Sequence, residues 1–229
     1  MIEIKNLNKT YGKGNSAFTA LKSITVTLEQ GANMAILGKS GSGKSTLMHV
    51  IAGLDRPTSG EVIINNVSVW AMPAKKLDAF RNKTIGFIFQ AFFLQNENTV
   101  LENVMVPLEI RGVPFSKRRE TAIAALKSVD LLDKMNNKAS DLSGGQKQRV
   151  VIARSIVGDP DIIFADEPTG NLDSVTGGIV EDMLFDLNKN TKAMLIVVTH
   201  DDELAKRFDN RIVLKDGEII EMVGKGVTS

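Results

Sequence analysis

Gly38-Lys39-Ser40-Gly41-Ser42-Gly43-Lys44-Ser45 sets a glycine, four residues, then Gly-Lys-Ser. Glycines at this spacing let the backbone curl so that successive N–H groups point inward at phosphate oxygens. A helix starting at Lys44 adds the partial positive charge of its N-terminus. The Lys44 ammonium suits β- and γ-phosphates, and the Ser45 hydroxyl suits Mg²⁺. A second candidate set is Ile162-Ile163-Phe164-Ala165-Asp166-Glu167, an apolar run ending in two carboxylates. Neighbours on a strand point opposite ways, so Asp166 is expected on the metal side and Glu167 is the candidate to polarise an attacking water. A third run, Val197-Val198-Thr199-His200, ends in a polar residue expected at the same sheet edge. Open α/β sheets bind ligands at the carboxyl ends of their strands. His49 lies beyond the loop and is read as an ordinary surface residue.

Such groups need strands that stop where the chemistry starts. Short apolar runs bounded by turn residues predict strands at 2–7, 24–28, 34–37, 62–64, 85–89, 162–165, 194–199, 211–214 and 219–222. Helical patterns occupy 44–52, 116–129, 146–157 and 175–187. The alternation predicts an α/β fold with a mostly parallel sheet. Strands before residue 28 precede the loop and are expected to form an N-terminal antiparallel β layer. From 91 to 156 the pattern is helix after helix, which predicts an α-helical subdomain inserted into a core of residues 1–90 and 157–222. The tail, 224–229, is expected to be disordered.

Composition excludes several classes. The 229 residues carry 28 Lys and Arg against 27 Asp and Glu, with two His and no Cys. A chain of this length folds as one large domain or a core with an insertion, burying roughly 70% of its unfolded surface without staples. The absence of Cys removes disulfides, thiol nucleophiles, iron–sulfur clusters and thiolate zinc. A net charge of +1 gives no general pull on nucleic acid or anionic lipid. Apolar stretches fall far short of the ~20 residues of a membrane helix, and no signal-peptide pattern opens the chain. The expectation is a soluble, intracellular protein.

Leu142-Ser143-Gly144-Gly145-Gln146 resembles the signature motif of ABC-type ATPases, and the family's other motifs stand in the same order. The resemblance covers about residues 2–222 and implies a P-loop NTPase core that binds ATP and Mg²⁺. It implies ATP contacts at Tyr11, which matches the adenine-stacking aromatic, and at Gly38, Ser40, Gly41, Ser42, Gly43, Lys44, Ser45 and Thr46. Magnesium falls to Ser45, Gln90 and Asp166, and catalysis to Glu167, His200 and Gln90. Ser143, Gly144, Gly145 and Gln146 would act on ATP held by the opposite subunit, with Asn171 and Asp173 in the loop along the dimer interface. The runs 54–60, 85–90 and 165–173 resemble the bacterial macrolide-export and lipoprotein-release subgroup. That subgroup serves separate permeases of four membrane helices by mechanotransmission. Leu94-Gln95-Asn96-Glu97-Asn98 departs from the Leu-Leu-Pro-like run its members often carry, in a region that faces the permease.

The resemblance therefore implies an ATPase subunit at the cytoplasmic side of the bacterial plasma membrane. Its implied partners are a second copy in an ATP sandwich, a transmembrane permease and an accessory protein outside the membrane. Closure on ATP, and opening after hydrolysis, would drive the permease. The alternative is a soluble ABC-type ATPase acting on nucleic acid or ribosomes. Such members carry long insertions or tandem domains, whereas 51 residues lie between Gln90 and Leu142 here. A third reading, a P-loop GTPase or small-molecule kinase, finds no Asn-Lys-x-Asp run to support it and leaves residues 142–146 unexplained.

Overall fold

The computed structural model describes residues 1–191 and 193–228, and at positions 15 and 190 the backbone alone. The chain forms two compact units, residues 1–78 with 194–229, and residues 79–193. In the first unit β1 (Ile2–Tyr11), β2 (Phe18–Leu28), β3 (Asn33–Leu37), α1 (Lys44–Ile51), β4 (Ser59–Ile64) and β5 (Val67–Ser68) follow one another. The chain leaves this unit within α2 (Ala74–Thr84).

The antiparallel layer has the order β11-β2-β1-β4-β5, with β11 at Val227–Thr228. Ile2 lies opposite Leu28 and Ile64, and Ile4 opposite Val26 and Val62, all six buried. This period-two apolar face is what fixes the register, since a slip of one residue would turn it to water.

The second unit holds β6 (Ile85–Phe89), α3 (Val100–Ile110), α4 (Phe115–Ser128), α5 (Gly144–Ile156), β7 (Ile162–Asp166) and α6 (Ser174–Asn190). β6 and β7 pair in parallel, with Phe89 opposite Asp166. Phe87 stacks on Phe89 at 5.3 Å and on Phe164 at 6.0 Å. Helix starts are written locally: Thr99 with Glu102, and Ser143 with Gln146, form capping boxes. This unit is wider than the 91–156 run of helices, because β6, β7 and α6 pack with them.

The chain returns to the first unit through β8 (Met194–Thr199), α7 (Asp202–Lys206), β9 (Asn210–Lys215) and β10 (Glu218–Val223). β3 runs parallel to β8 on one side and β9 on the other, and Met34, Ala35 and Ile36 are buried. A strand covered on both faces reads as a continuous apolar run. The tail corrects the sequence expectation of disorder over 224–228. Val227 is buried, β11 pairs with β2, and Gly226 N donates to Asn210 Oδ1 at 2.8 Å. Ser229 lies outside the described residues.

Candidate functional site

In the first unit the phosphate loop leaves the end of β3. The parallel register sets Leu37 opposite Thr199, so Gly38 and His200 emerge side by side from neighbouring strand ends. Gly38 has no room for a side chain, because a Cβ would strike the Leu214 carbonyl oxygen and Ser42 Oγ. Gly43 takes a left-handed φ of 102°, and a Cβ there would sit 2.6 Å from the Ala20 carbonyl oxygen. Gly43 is also the residue before α1, which has no side-chain cap. An uncapped helix start offers its first N–H groups to an anion.

Lys44 is buried and curls back into the loop. Its Nζ donates to the Gly38 carbonyl at 2.7 Å and the Lys39 carbonyl at 3.1 Å. An ammonium has three donors, so one remains for a ligand. Ser42 Oγ is buried with no hydrogen-bond partner. A glycine cradle that a Cβ would fill, an uncapped helix and an orphaned hydroxyl together fit a polyphosphate.

Tyr11 lies at the end of β1, 41% exposed. Its hydroxyl donates to Asp55 Oδ2 at 2.5 Å and also meets the Thr46 hydroxyl. Lys9 pairs with Asp55 and sits over the Tyr11 ring, 4.7 Å from its centroid. Burial pushes the Tyr11 phenol up, and the bond to Asp55 pushes it further. Burial also pushes the Asp55 carboxyl up, but the bonds from Lys9 and Tyr11 outweigh it and hold the group below the usual range. One face of the Tyr11 ring is thus taken by a cation.

The second unit assembles the acidic side. Because Phe89 lies opposite Asp166, Gln90 and Glu167 leave adjacent strand ends together. Glu167 is not on the strand, as the sequence reading supposes: β7 ends at Asp166 and Glu167 takes φ 46°. A left-handed non-glycine residue costs on the order of 1–3 kcal/mol and clusters at functional sites. Asn171 bonds to Gln90, and Asp173 caps α6 by accepting from Val175 N at 3.1 Å and Thr176 N at 3.0 Å. The Thr176 bond leads in holding the Asp173 carboxyl below its ordinary range.

Ser143 caps α5, and a Cβ on Gly145 would collide with the Thr176 methyl. The first turn of α5 therefore lies directly on α6. Within the second unit, the Asp166 carboxylate and the Gln90 amide oxygen at adjacent strand ends are both hard donors. Mg²⁺ takes such oxygens, usually one or two carboxylates completed by phosphate and water.

Sequence reasoning missed Gln148 and Arg154. Gln148 is fully buried on α5, and its Nε2 donates to the Pro168 carbonyl at 2.7 Å. Arg154 donates to the carbonyls of Phe93 at 2.8 Å and Phe92 at 2.9 Å, holding the segment after Gln90. The signal available was a polar residue two places before the apolar run 150–153.

Strand-end phosphate loop, paired strand-end carboxylate and signature helix define a P-loop ATPase of the transporter kind. The ABC transporter family profile matches residues 21–170, and the chain belongs to that family. It is 48% identical over 220 residues to the lipoprotein-releasing system ATP-binding protein LolD of Syntrophus aciditrophicus, covering 96% of this chain and 99% of that one. An uncharacterized ABC transporter ATP-binding protein of Methanocaldococcus jannaschii is 46% identical, over 98% of this chain and 100% of its own.

Among solved structures, the dimeric ABC transporter cassette MJ0796 superposes with a TM-score of 0.89 at 41% identity, over 98% of each chain. The same cassette in a post-hydrolysis dimer with ADP and Pi gives 0.89 at 40% identity, again over 98% of each chain. The chain is thus an ATP-binding, ATP-hydrolysing subunit of an ABC transporter, a class that dimerises and pairs with membrane permeases. Among the described residues no helix is long and apolar enough to cross a membrane.

Proposed function

We propose that this chain powers a complex of the lipoprotein-release and macrolide-export kind. It sits at the cytoplasmic side of the membrane beneath a permease of four membrane helices, with an accessory protein as a further partner. The observation that carries this reading is the 48% identity to a lipoprotein-releasing ATP-binding protein along nearly the whole of both chains.

Each residue takes a role in that reading. Lys44, the glycine loop with Ser40 and Ser42, and the start of α1 with Thr46 hold the phosphates, and Tyr11 offers its free face to adenine. Ser45, Gln90 and Asp166 would hold Mg²⁺, which when bound would offset charge on the phosphoryl oxygens. Glu167 takes a proton from the attacking water as the bond to the γ-phosphate breaks, giving ADP and phosphate. His200 positions the γ-phosphate. Ser143, Gly144, Gly145 and Gln146 reach the nucleotide of the second copy, and Asn171 and Asp173 lie along the interface.

Co-purification from membranes in mild detergent tests the assembly. A permease with four membrane helices and a large external domain is the expected companion. One with six or more helices contradicts the subgroup, and recovery of soluble proteins alone contradicts the permease partnership.

A further inference from the structure

Gln148 is fully buried, yet only half of its amide is satisfied. Nε2 donates to the Pro168 carbonyl at 2.7 Å, while Oε1 is buried with no partner. A buried acceptor left unmade costs about 1–3 kcal/mol, whereas the one hydrogen bond made is worth about 0.5–1.5 kcal/mol net. Stability alone therefore does not account for an amide at this position.

The carbonyl it grips belongs to the residue after Glu167. Glu167 is held at φ 46°, and a residue before proline prefers extended backbone. Its turn needs restraint from outside. Gly170 N donates to the Glu167 carbonyl at 3.1 Å, and Gln148 holds the next carbonyl along. Pro168 has no N–H of its own to add.

Gln148 also sits on the helix that the signature motif opens. Ser143 caps that helix through Gln146, and Gly145 lies against Thr176 of α6. Ser143, Gln148 and the Glu167 turn are thus joined through one helix and one buried hydrogen bond.

We propose that Gln148 is a positioning residue for Glu167. From the signature helix it fixes the turn that aims the carboxylate, so contact of the signature motif with one nucleotide bears on hydrolysis of the other. The proposal rests on the assignment of Glu167 as the catalytic carboxylate and on the signature motif acting across the dimer.

Gln148→Met tests it in the full-length protein. Expected are a kcat lower by roughly 10- to 100-fold, the effect of small misplacement of a catalytic group, and a KM for ATP within about threefold. Thermal stability should stay close to that of the unaltered protein, because the unpaired Oε1 is gone while the Pro168 carbonyl loses its donor. Combined with Glu167→Gln, the variant should still form an ATP-dependent dimer.

A kcat within about twofold of the unaltered protein, or a KM rising in step with a falling Tm, overturns the proposal. Gln148→Glu gives an independent reading should the Met variant not fold. Its neutral carboxyl can donate to the Pro168 carbonyl and its ionised form cannot, so its activity relative to the unaltered protein should climb as pH falls; a flat ratio overturns the proposal. Glu167→Gln is assayed beside them. Full turnover there contradicts the assignment of Glu167, whereas an inert Glu167→Gln with an active Gln148→Met contradicts this inference alone.

Discussion

Gln90 and Asn171 hold each other through two hydrogen bonds: Asn171 Nδ2 donates to the Gln90 carbonyl at 2.8 Å, and Gln90 Nε2 donates to Asn171 Oδ1 at 3.3 Å. The loop after β6 is thereby tied to the loop that leads into α6. Gly170 makes this possible, since a Cβ there would sit 2.8 Å from Gln90 Nε2.

Asn171→Ala removes both bonds at an exposed position. Each is worth about 0.5–1.5 kcal/mol net, together about 3 kcal/mol at most, so Tm should fall by no more than about 6–12 °C. Steady-state ATP turnover should fall by about tenfold, as Gln90, proposed above to hold Mg²⁺, loses its place. Calorimetry beside a phosphate-release assay separates the two effects.

Gly43→Ala tests the loop. The new Cβ meets the Ala20 carbonyl in a left-handed conformation, at a cost on the order of 1–3 kcal/mol. Binding of a fluorescent ATP analogue should weaken by about tenfold or more, with a lowered Tm. Gly41→Ala, also left-handed but with nothing within 4 Å of its Cβ, should lose less.

Asp55 predicts a pH dependence. Its folded pKa lies below the ordinary 3.8 through the bonds from Lys9 and Tyr11, despite burial. The stabilisation is thus complete above that ordinary value and is lost as pH falls through the depressed one. Thermal melts should show Tm dropping in acid below pH 3.8, with a smaller drop in Asp55→Asn. If Asp55 orients Tyr11 under adenine, the same variant weakens ATP binding but leaves tripolyphosphate binding unchanged.

Much of this fold is legible in the sequence because its strands are short apolar runs closed by turn residues. Every predicted strand is present, and the phosphate loop lies between its expected strand and helix. α2 is not legible: of its eleven residues only Leu77 and Thr84 are buried, while lysines and an arginine crowd the rest, so no apolar face of helical period marks it. β11 is two residues whose pairing partners, Leu28 and Thr27 of β2, lie far away in the chain. The turn at Glu167 is hidden because adjacent carboxylates after an apolar run look like a continuing strand. Trp70, which has no role in the sequence, donates its indole N–H to the Val50 carbonyl at 3.1 Å and so closes the last turn of α1.

Arg154 makes a prediction about order rather than turnover. Its guanidinium holds the Phe92 and Phe93 carbonyls, and burial pulls its pKa down. Arg154→Ala leaves those carbonyls without their donors, each charged bond being worth about 1.5–3 kcal/mol. Hydrogen exchange and limited proteolysis should quicken over residues 91–96 while β1 and β2 stay protected. Unchanged exchange there contradicts the assignment.

The most direct test of the account is Glu167→Gln, measured for ATP turnover and for mass in solution by light scattering. The account predicts turnover lower by a factor on the order of 10²–10⁴, the contribution of a positioned general base. It also predicts a dimer that forms on adding ATP and Mg²⁺ and persists, because the step that opens it is blocked. Turnover at the unaltered rate, or a monomer in saturating ATP, would contradict it.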